Sequence, residues 1–216
     1  MTKLREQTDA KIAAGRKGNP EFMKGVDDII AKAKAFEEGS NALKVGEKAP
    51  DFNLPNAKGI PISLEVLLEN GPLVITFYRG SWCPYCNLQF RALQAKLNKV
   101  KELGATLIGI SPEVPDDSLS ENEISKMDFD VLSDQDAKIA LQYGVAWEVP
   151  EFLMEHMRVD RNLDLKKINN GNDSVLPIPA TFILGTDGII KWSYVNVDYR
   201  TRSEPDEIVE ALKKLS

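Results

Sequence analysis

The chain has 216 residues, 43% of them hydrophobic, which suits one globular domain with a sizeable core and an added extension. Its 27 Lys and Arg residues and 33 Asp and Glu residues give a formal net charge of -6, which argues against a surface that binds nucleic acid or an anionic membrane. We therefore expect small molecules or other proteins as partners. Because residues 1–7 are charged and no apolar stretch follows them, we expect neither a signal peptide nor a membrane anchor, and hence a cytoplasmic protein.

The N-terminal region predicts two helices. Residues 3–38 are rich in Ala, Lys and Glu, and the helical pattern is interrupted around residues 18–20. Four apolar residues of this region follow helical spacing: Phe22, Val26, Ile29 and Ile30. We expect this helical extension, residues 1–43, to pack on the main domain, residues 44–216, or on a second subunit of a homodimer.

In the main domain, turns around short extended pieces at residues 46–59 are followed by a predicted buried strand and a predicted long helix. Residues 73–78 form a β-branched and aromatic run that is typical of a strand buried on both faces. Residues 84–103 carry an apolar stripe with Lys and Arg between its members, which predicts a helix. Two strands and a short helix that ends at Gly144 are predicted next: 106–110, 129–132 and 136–143.

The C-terminal third predicts a hairpin and a final helix. Asp187-Gly188 tolerates the positive φ of a tight turn, so residues 181–184 and 189–192 are predicted to pair as antiparallel strands. A last amphipathic helix begins near Ser203. The full order predicts an α/β protein of the thioredoxin-like arrangement, with a mixed central sheet and helices on both of its faces.

Both cysteines of the chain, separated by two residues, come shortly after the predicted strand 73–78. They belong to the segment Trp82-Cys83-Pro84-Tyr85-Cys86. Structural disulfides are rare in a reducing compartment, so a close pair is more typical of redox catalysis or metal binding. Since the chain has one histidine, His156, and no third cysteine, one chain cannot assemble a closed zinc site. We expect no metal, haem or nucleotide cofactor.

The predicted strand and helix assign different roles to the two sulfurs. Pro84 suits the first position of a helix, which places Cys83 at or near the N-cap. Unpaired N–H groups and the positive end of the helix dipole favour a thiolate there and lower the pKa of Cys83. Cys86 lies one turn further along, where we expect it to be more shielded and within reach of a disulfide. Cys83 is therefore predicted to attack and Cys86 to resolve, with Trp82 lining the approach.

The cysteine segment resembles the active site of the thioredoxin superfamily, and its Cys-Pro-Tyr-Cys core is similar to that of glutaredoxins. The surrounding sequence resembles another branch, the alkyl hydroperoxide reductase/thiol-specific antioxidant (peroxiredoxin) family. Five segments carry that similarity: 46–54, 77–80, 108–111, 131–134 and 180–184. The resemblance covers about residues 44–214. It implies a thioredoxin fold, reduction of peroxides at Cys83, and a disulfide with Cys86 that thioredoxin, glutaredoxin or glutathione reduces.

Three positions depart from the peroxiredoxin pattern. Thr76 and Gly80 stand where the family carries the Pro and the Thr or Ser of its peroxide-binding loop, and Ser81 is the candidate that could supply a hydroxyl instead. Pro179 stands where the family carries an arginine before its Ala-Thr-Phe strand. Arg79, four residues before Cys83, is the candidate for that cation, and an ion pair with a surface carboxylate is the alternative.

Pro179 also resembles the cis-proline of thioredoxins, which lies against the cysteine pair and receives extended peptides. A trans proline at the start of a strand is the alternative. His156 lies in residues 147–161, which are predicted to form a helical insertion beside the active site. A lone histidine on such a helix is usually packed or solvated, so we assign it no catalytic role.

Three functions are compatible with this sequence. The leading hypothesis is a thiol peroxidase that acts on hydrogen peroxide or alkyl hydroperoxides. The second is a thiol-disulfide oxidoreductase of glutaredoxin or thioredoxin type, favoured by Pro179 and the Cys-Pro-Tyr-Cys core. The third is a non-catalytic redox sensor whose helical extension docks on a partner according to the state of the cysteine pair.

Overall fold

The computed structural model describes residues 2–114 and 126–215. It begins with two helices, α1 (Leu4–Gly18) and α2 (Pro20–Ala35), as predicted. The break between them has a local cause. The Asn19 side chain accepts a hydrogen bond from the backbone N–H of Phe22, and Pro20 occupies the first position of α2. Both features are typical of a helix start, so the second helix begins where the first ends.

Nine strands and seven further helices follow in the described part of the chain. The strands are β1 (Asn53–Pro55), β2 (Pro61–Ser63), β3 (Leu73–Phe77), β4 (Thr106–Ser111), β5 (Asp130–Ser133), β6 (Ala146–Glu148), β7 (Val175–Pro177), β8 (Ala180–Leu184) and β9 (Ile190–Val195). The helices are α3 (Leu64–Glu69), α4 (Pro84–Gln94), α5 (Leu97–Glu102), α6 (Lys138–Gln142), α7 (Glu151–Glu155), α8 (Leu165–Ile168) and α9 (Pro205–Lys213). None of the helices in residues 2–114 and 126–215 has the length and apolar content needed to cross a membrane.

Five strands form the central sheet in the order β5-β4-β3-β8-β9. The pairs β3–β4 and β4–β5 are parallel, whereas β3–β8 and β8–β9 are antiparallel. This arrangement confirms the predicted mixed sheet and the predicted hairpin around Gly188. Strand β3 lies at the centre, so the loop after it, which carries the cysteines, emerges from the most buried part of the sheet.

Helices cover both faces of this sheet because the side chains of β3 alternate between two apolar clusters. Val74 faces a cluster that α5 and α9 complete, whereas its neighbours Leu73 and Ile75 face the larger cluster. Helices α2 and α6 contribute to the larger cluster, the former through Val26 and Ile30. The predicted two-sided covering is therefore confirmed.

Two predicted helices differ from the observed ones. The helix predicted over residues 84–103 is divided into α4 and α5 by a turn at residues 95–96, after which Leu97 and Val100 are again buried. The helix predicted over 136–143 is regular only in α6. Its start is displaced because the Asp134 carboxylate accepts hydrogen bonds from the backbone N–H groups of Ile139 and Ala140, both at 2.9 Å.

The N-terminal helices pack on the domain, which was one of the two predicted arrangements. The Glu204 carboxylate accepts hydrogen bonds from the N–H groups of Leu4 and Arg5 at the start of α1, at 3.2 and 2.6 Å. In α2, Asp27 forms a 2.7 Å ion pair with Arg200, whose guanidinium also binds Asp198 at 2.8 Å. The domain boundary at residues 43 and 44, and a homodimer, stay predictions.

Helix α7 and a π-helical turn (His156–Asp160) lie within the insertion that was predicted over residues 147–161. The insertion continues through α8 and is flanked by β6 and β7, which pair as an antiparallel ribbon. Phe152 of α7 stacks on Phe22 of α2, with ring centroids 5.5 Å apart. The insertion and the N-terminal helices are therefore in contact with each other.

Ile30→Ala tests whether α2 belongs to the core. Ile30 is 3% exposed within the larger cluster, so its truncation should lower the free energy of unfolding by about 2–4 kcal/mol. Urea denaturation measures this loss. Val66→Ala, at a residue that is 53% exposed, is the matched control and should cost less than about 0.5 kcal/mol. Equal losses in the two variants would show that α2 adds nothing to the core.

Candidate active site

Cys83 lies at the N-terminus of α4, as the sequence predicts. Its backbone is extended, with φ -85° and ψ 114°, and Pro84 occupies the first helical position. The chain turns from β3 into α4 through a tight loop in which the Cys83 N–H donates to the Gly80 carbonyl at 3.1 Å. Gly80 has φ +148°, and a Cβ atom there would lie 2.2 Å from Nε1 of Trp82. Glycine is therefore needed at this position.

Both sulfurs are buried. Cys83 is 1% exposed and Cys86 is fully enclosed. Cys86 is the more shielded of the two, as predicted, but the difference is small because the N-terminal helices and the insertion cover Cys83 as well. Burial by itself would keep both groups as neutral thiols. The charge state of the pair then depends on the cations and hydrogen bonds beside it.

The pKa of the Cys83 thiol is held well below its usual value. Burial opposes ionisation, but a hydrogen bond from the Cys86 thiol and the positive charges of Arg79 and Arg202 outweigh it. The backbone N–H of Cys86, in the first turn of α4, adds a further favourable contact. The surroundings of Cys83 therefore favour the thiolate, which is the nucleophilic form.

The pKa of the Cys86 thiol is shifted in the opposite direction, well above its usual value. Burial raises it, and so do the hydrogen bond that Cys86 donates to Cys83 and the negative charge of the Cys83 thiolate. Arg202 opposes this shift. One thiolate and one thiol in contact is the charge distribution that an attacking and a resolving cysteine require.

Arg79 lies beside Cys83, as proposed for the missing cation. Its side chain is buried, and its guanidinium carbon lies 4.3 Å from the ring centroid of Tyr199 and 5.1 Å from that of Trp82. One of its nitrogens is 3.5 Å from the Met157 sulfur. No carboxylate among the described residues forms an ion pair with it, so the alternative of a surface ion pair is not observed.

Arg202 is a second cation beside the cysteines, and the sequence did not predict it. It lies in the loop between β9 and α9, and its Nη2 is 3.2 Å from the Cys86 sulfur. Its Nη1 donates to the carbonyl groups of Tyr199 and Thr201, which fixes the side chain in this orientation. A loop arginine more than one hundred residues from the cysteines has no local pattern that marks it. The pairing of β9 with β8, and of β8 with β3, brings it to the site.

The Ser81 hydroxyl was the candidate to bind a peroxide, but it forms a hydrogen bond to another residue. Its N–H and its hydroxyl donate to the carboxylate of the buried Glu113, at 2.7 and 2.6 Å. The hydroxyl proton thus points to Glu113 rather than towards a peroxide at Cys83. The carboxylate holds the turn after Gly80 in place, because it binds both the backbone and the side chain of Ser81.

Pro179 does not form the cis-proline that was expected. All described peptide bonds are trans, and Pro179 is buried between β7 and β8 with its carbonyl oxygen 3.5 Å from the Asn196 nitrogen. The alternative, a trans proline at the start of a strand, is the observed one. The residue continues the chain into β8, and its rigid φ suits that position.

A pocket of about 480 Å³ leads to Cys83. Trp82 and Tyr85 line it, as predicted for Trp82, together with residues of α1, α2 and the insertion. His156 packs in its wall: Nδ1 lies 2.7 Å from the Asp160 carboxylate, and the ring stacks 3.9 Å from Phe22. This packed position is the one expected for a histidine without a catalytic role. Apart from Cys83, the residues around the opening are Lys11, Ala14, Gly15, Phe22, Met23, Arg79, Trp82, Pro84, Tyr85, Leu153, His156, Met157, Arg161 and Tyr199.

Comparison with known proteins agrees with this geometry. The family model described as "AhpC/TSA family" matches residues 45–193, more than half of the chain. The chain belongs to the AhpC/TSA family. Peroxiredoxin Bcp of Escherichia coli (strain K12) is 26% identical over 174 residues, which cover 81% of this chain and 98% of that protein. A bcp protein of Helicobacter pylori (strain J99) is 29% identical over 173 residues, or 79% of this chain and 98% of the relative.

A solved structure supports the fold independently. The crystal structure of peroxidoxin BcpB from Mycobacterium tuberculosis superposes with a TM-score of 0.60 at 23% identity, and the match covers 81% of this chain and 99% of that one. The thioredoxin-like fold predicted from the sequence is thereby confirmed. The aligned share leaves part of the chain unmatched, and the family match itself begins only at residue 45, after α1 and α2.

Arg79→Gln tests the electrostatic control of Cys83. Because the arginine lowers the pKa of the Cys83 thiol, its loss should move the half-maximal rate of alkylation by iodoacetamide to higher pH. At pH 6 the rate at Cys83 should fall about tenfold, measured by mass spectrometry of the peptide that contains it. Arg158→Gln removes the same charge from the surface and should leave the profile in place. An unchanged profile in Arg79→Gln would contradict the assigned role.

Proposed function

We propose that the protein is a thiol peroxidase that reduces hydrogen peroxide or alkyl hydroperoxides at Cys83. The observation that supports this most is the opposite shift of the two cysteine pKa values, with the favoured thiolate at the end of a pocket and beside two buried arginines. Membership of the AhpC/TSA family agrees with the same activity.

The first step consumes the peroxide. The Cys83 thiolate attacks one oxygen of the O–O bond, so that an S–O bond forms while the O–O bond breaks. Water or an alcohol leaves after it takes up a proton from solvent in the pocket. Arg79, close to the sulfur, would stabilise the negative charge that moves onto the leaving oxygen. Cys83 is left as a sulfenic acid.

The second step forms the disulfide. The Cys86 sulfur attacks the sulfenic sulfur of Cys83, an S–S bond forms, and the hydroxyl group leaves as water with the proton of Cys86. The two residues are one helical turn apart at the start of α4, so this bond needs little rearrangement. Arg202 lies 3.2 Å from the Cys86 sulfur and would favour its thiolate during the attack.

A reductant then donates two electrons and two protons to the Cys83–Cys86 disulfide, which returns both cysteines to thiols. Thioredoxin or glutaredoxin would supply two thiols of one molecule and leave as a disulfide, whereas two molecules of glutathione would be needed and would leave as glutathione disulfide, in a cytoplasm that keeps thiols reduced. Peroxiredoxins in general use thioredoxin-type reductants.

A homodimer is also part of this proposal, because the N-terminal helices leave residues such as Phe36 exposed near the domain surface.

The thiol-disulfide oxidoreductase is the weaker alternative. A protein disulfide would have to reach Cys83, which is enclosed by α1, α2 and the insertion, and the trans Pro179 does not offer the expected peptide-binding loop. A disulfide-reduction assay run beside a peroxide assay separates the two activities. Faster turnover of protein disulfides than of peroxides would favour the alternative, and oxidation-dependent binding with negligible turnover in both would favour the redox sensor.

Substitution of each cysteine tests the assigned order. Cys83→Ser should abolish peroxide turnover, because it removes the only thiolate that the site favours. Cys86→Ser should still consume one equivalent of peroxide, after which the sulfenic acid at Cys83 persists and is trapped by dimedone. Mass spectrometry of the adduct is the measurement. If both variants lose the first oxidation step to the same extent, the order of the two cysteines is wrong.

A further inference from the structure

The pocket that leads to Cys83 is positively charged although the protein is acidic. Its lining includes Lys11, Arg79 and Arg161 and no Asp or Glu side chain. The whole chain has a net charge of -6. Asp160, which binds His156 at 2.7 Å, and Asp198, which raises the pKa values of Tyr85 and Tyr199, are carboxylates that act on residues of the pocket wall, but neither lines the pocket. The opening therefore attracts anions, which the protein surface as a whole would repel.

The pocket is also larger than hydrogen peroxide requires. Its volume is about 480 Å³, whereas a water molecule occupies roughly 30 Å³ of the liquid and hydrogen peroxide only somewhat more. Much of the wall is apolar: Phe22 and Met23 of α2 face the opening, with Leu153 and Met157 of the insertion. An organic group fits this space and these walls better than a second shell of water does.

Two of the cations lie at the rim and are available to a ligand. Lys11 is exposed on α1, with its ammonium group 6.0 Å from the Tyr85 ring. Arg161 is exposed at the end of the insertion, donates to the Trp82 carbonyl at 2.9 Å and lies over the Trp82 ring. Among the described residues neither of them forms an ion pair. Trp82 and Tyr85 adjoin Cys83, so the two cations flank the approach to the sulfur.

We propose that this pocket selects organic hydroperoxides that carry a carboxylate. The carboxylate binds Lys11 and Arg161 at the rim, the apolar part lies against Phe22 and the insertion, and the hydroperoxide group reaches Cys83. The inference rests on the proposed peroxidase function. It attributes the selection of the substrate to residues of α1, α2 and the insertion. The products are the Cys83 sulfenic acid and the hydroxy acid, formed when the S–O bond replaces the O–O bond and the leaving oxygen takes up a proton.

A matched pair of substrates tests this selection. Para-carboxycumene hydroperoxide and its methyl ester share one organic group and differ in charge. Stopped-flow oxidation of the reduced protein should be about tenfold faster with the acid than with the ester, since two exposed cations each contribute a few-fold. Raising the ionic strength from 0.05 to about 0.5 M should reduce this ratio, because salt screens the exposed charges.

Variants at the rim identify the cations. Lys11→Gln and Arg161→Gln should each lower the ratio of acid rate to ester rate about two- to fivefold, and the double variant should bring it to about two or less. The ester serves as the internal reference in each variant, so a general loss of reactivity does not affect the ratio. Lys17→Gln on the same helix removes an equal charge outside the pocket and should keep the wild-type ratio.

Two negative results have different meanings. If hydrogen peroxide, the ester and the acid all oxidise Cys83 no faster than a free thiol, the proposed peroxidase function fails. If hydrogen peroxide or the ester reacts rapidly and the acid has no advantage over the ester in the wild-type protein, the peroxidase function stands and the selection for a carboxylate is overturned. A wild-type ratio that survives in the double variant also overturns the assignment to Lys11 and Arg161.

Discussion

The arrangement of this site depends on placing a negative sulfur and two guanidinium groups together in the protein interior. Arg79 and Arg202 are 4% and 5% exposed, and the Nε atom of each has no hydrogen-bond partner. An unpaired charge is costly to bury, so these cations need an anion close by. The Cys83 thiolate meets that need, and in return the cations keep its pKa low. The negative charge on Cys83 therefore stabilises the two buried arginines, and it also makes the sulfur nucleophilic.

The surrounding elements hold the Cys83 sulfur and the guanidinium groups of Arg79 and Arg202 in position. Strand β3 ends at the centre of the sheet, the Gly80 turn with its Ser81–Glu113 contacts directs the chain into α4, and Met157 of the insertion packs on Arg79. Helices α1 and α2 close the site from the other side, and Glu204 and Arg200 fasten them to the domain. The extension is thus a wall of the active-site pocket. Its presence explains why the Cys83 sulfur is buried although a pocket leads to it.

Local patterns in the sequence predicted much of this structure. The strand at 73–78, the hairpin at Gly188, the two N-terminal helices and the position of Cys83 at a helix start follow from periodicity and turn chemistry within a few residues. Features that depend on distant parts of the chain were missed or wrong. Arg202 reaches Cys86 only through the strand order, Cys83 is buried by the two helices at the N-terminus of the chain, and Ser81 turns to Glu113 because β4 ends beside it. The bond before Pro179 is trans, which the resemblance to thioredoxin could not decide.

The charges around Cys83 should activate it towards peroxides beyond what a low pKa alone provides. The most direct measurement is the second-order rate constant for the reduced protein with stoichiometric hydrogen peroxide at neutral pH, followed by stopped-flow tryptophan fluorescence. Because fixed charges stabilise the leaving oxygen, we expect a value at least about 100-fold above that of a free thiol with the same pKa. A rate equal to that of the free thiol would contradict the account.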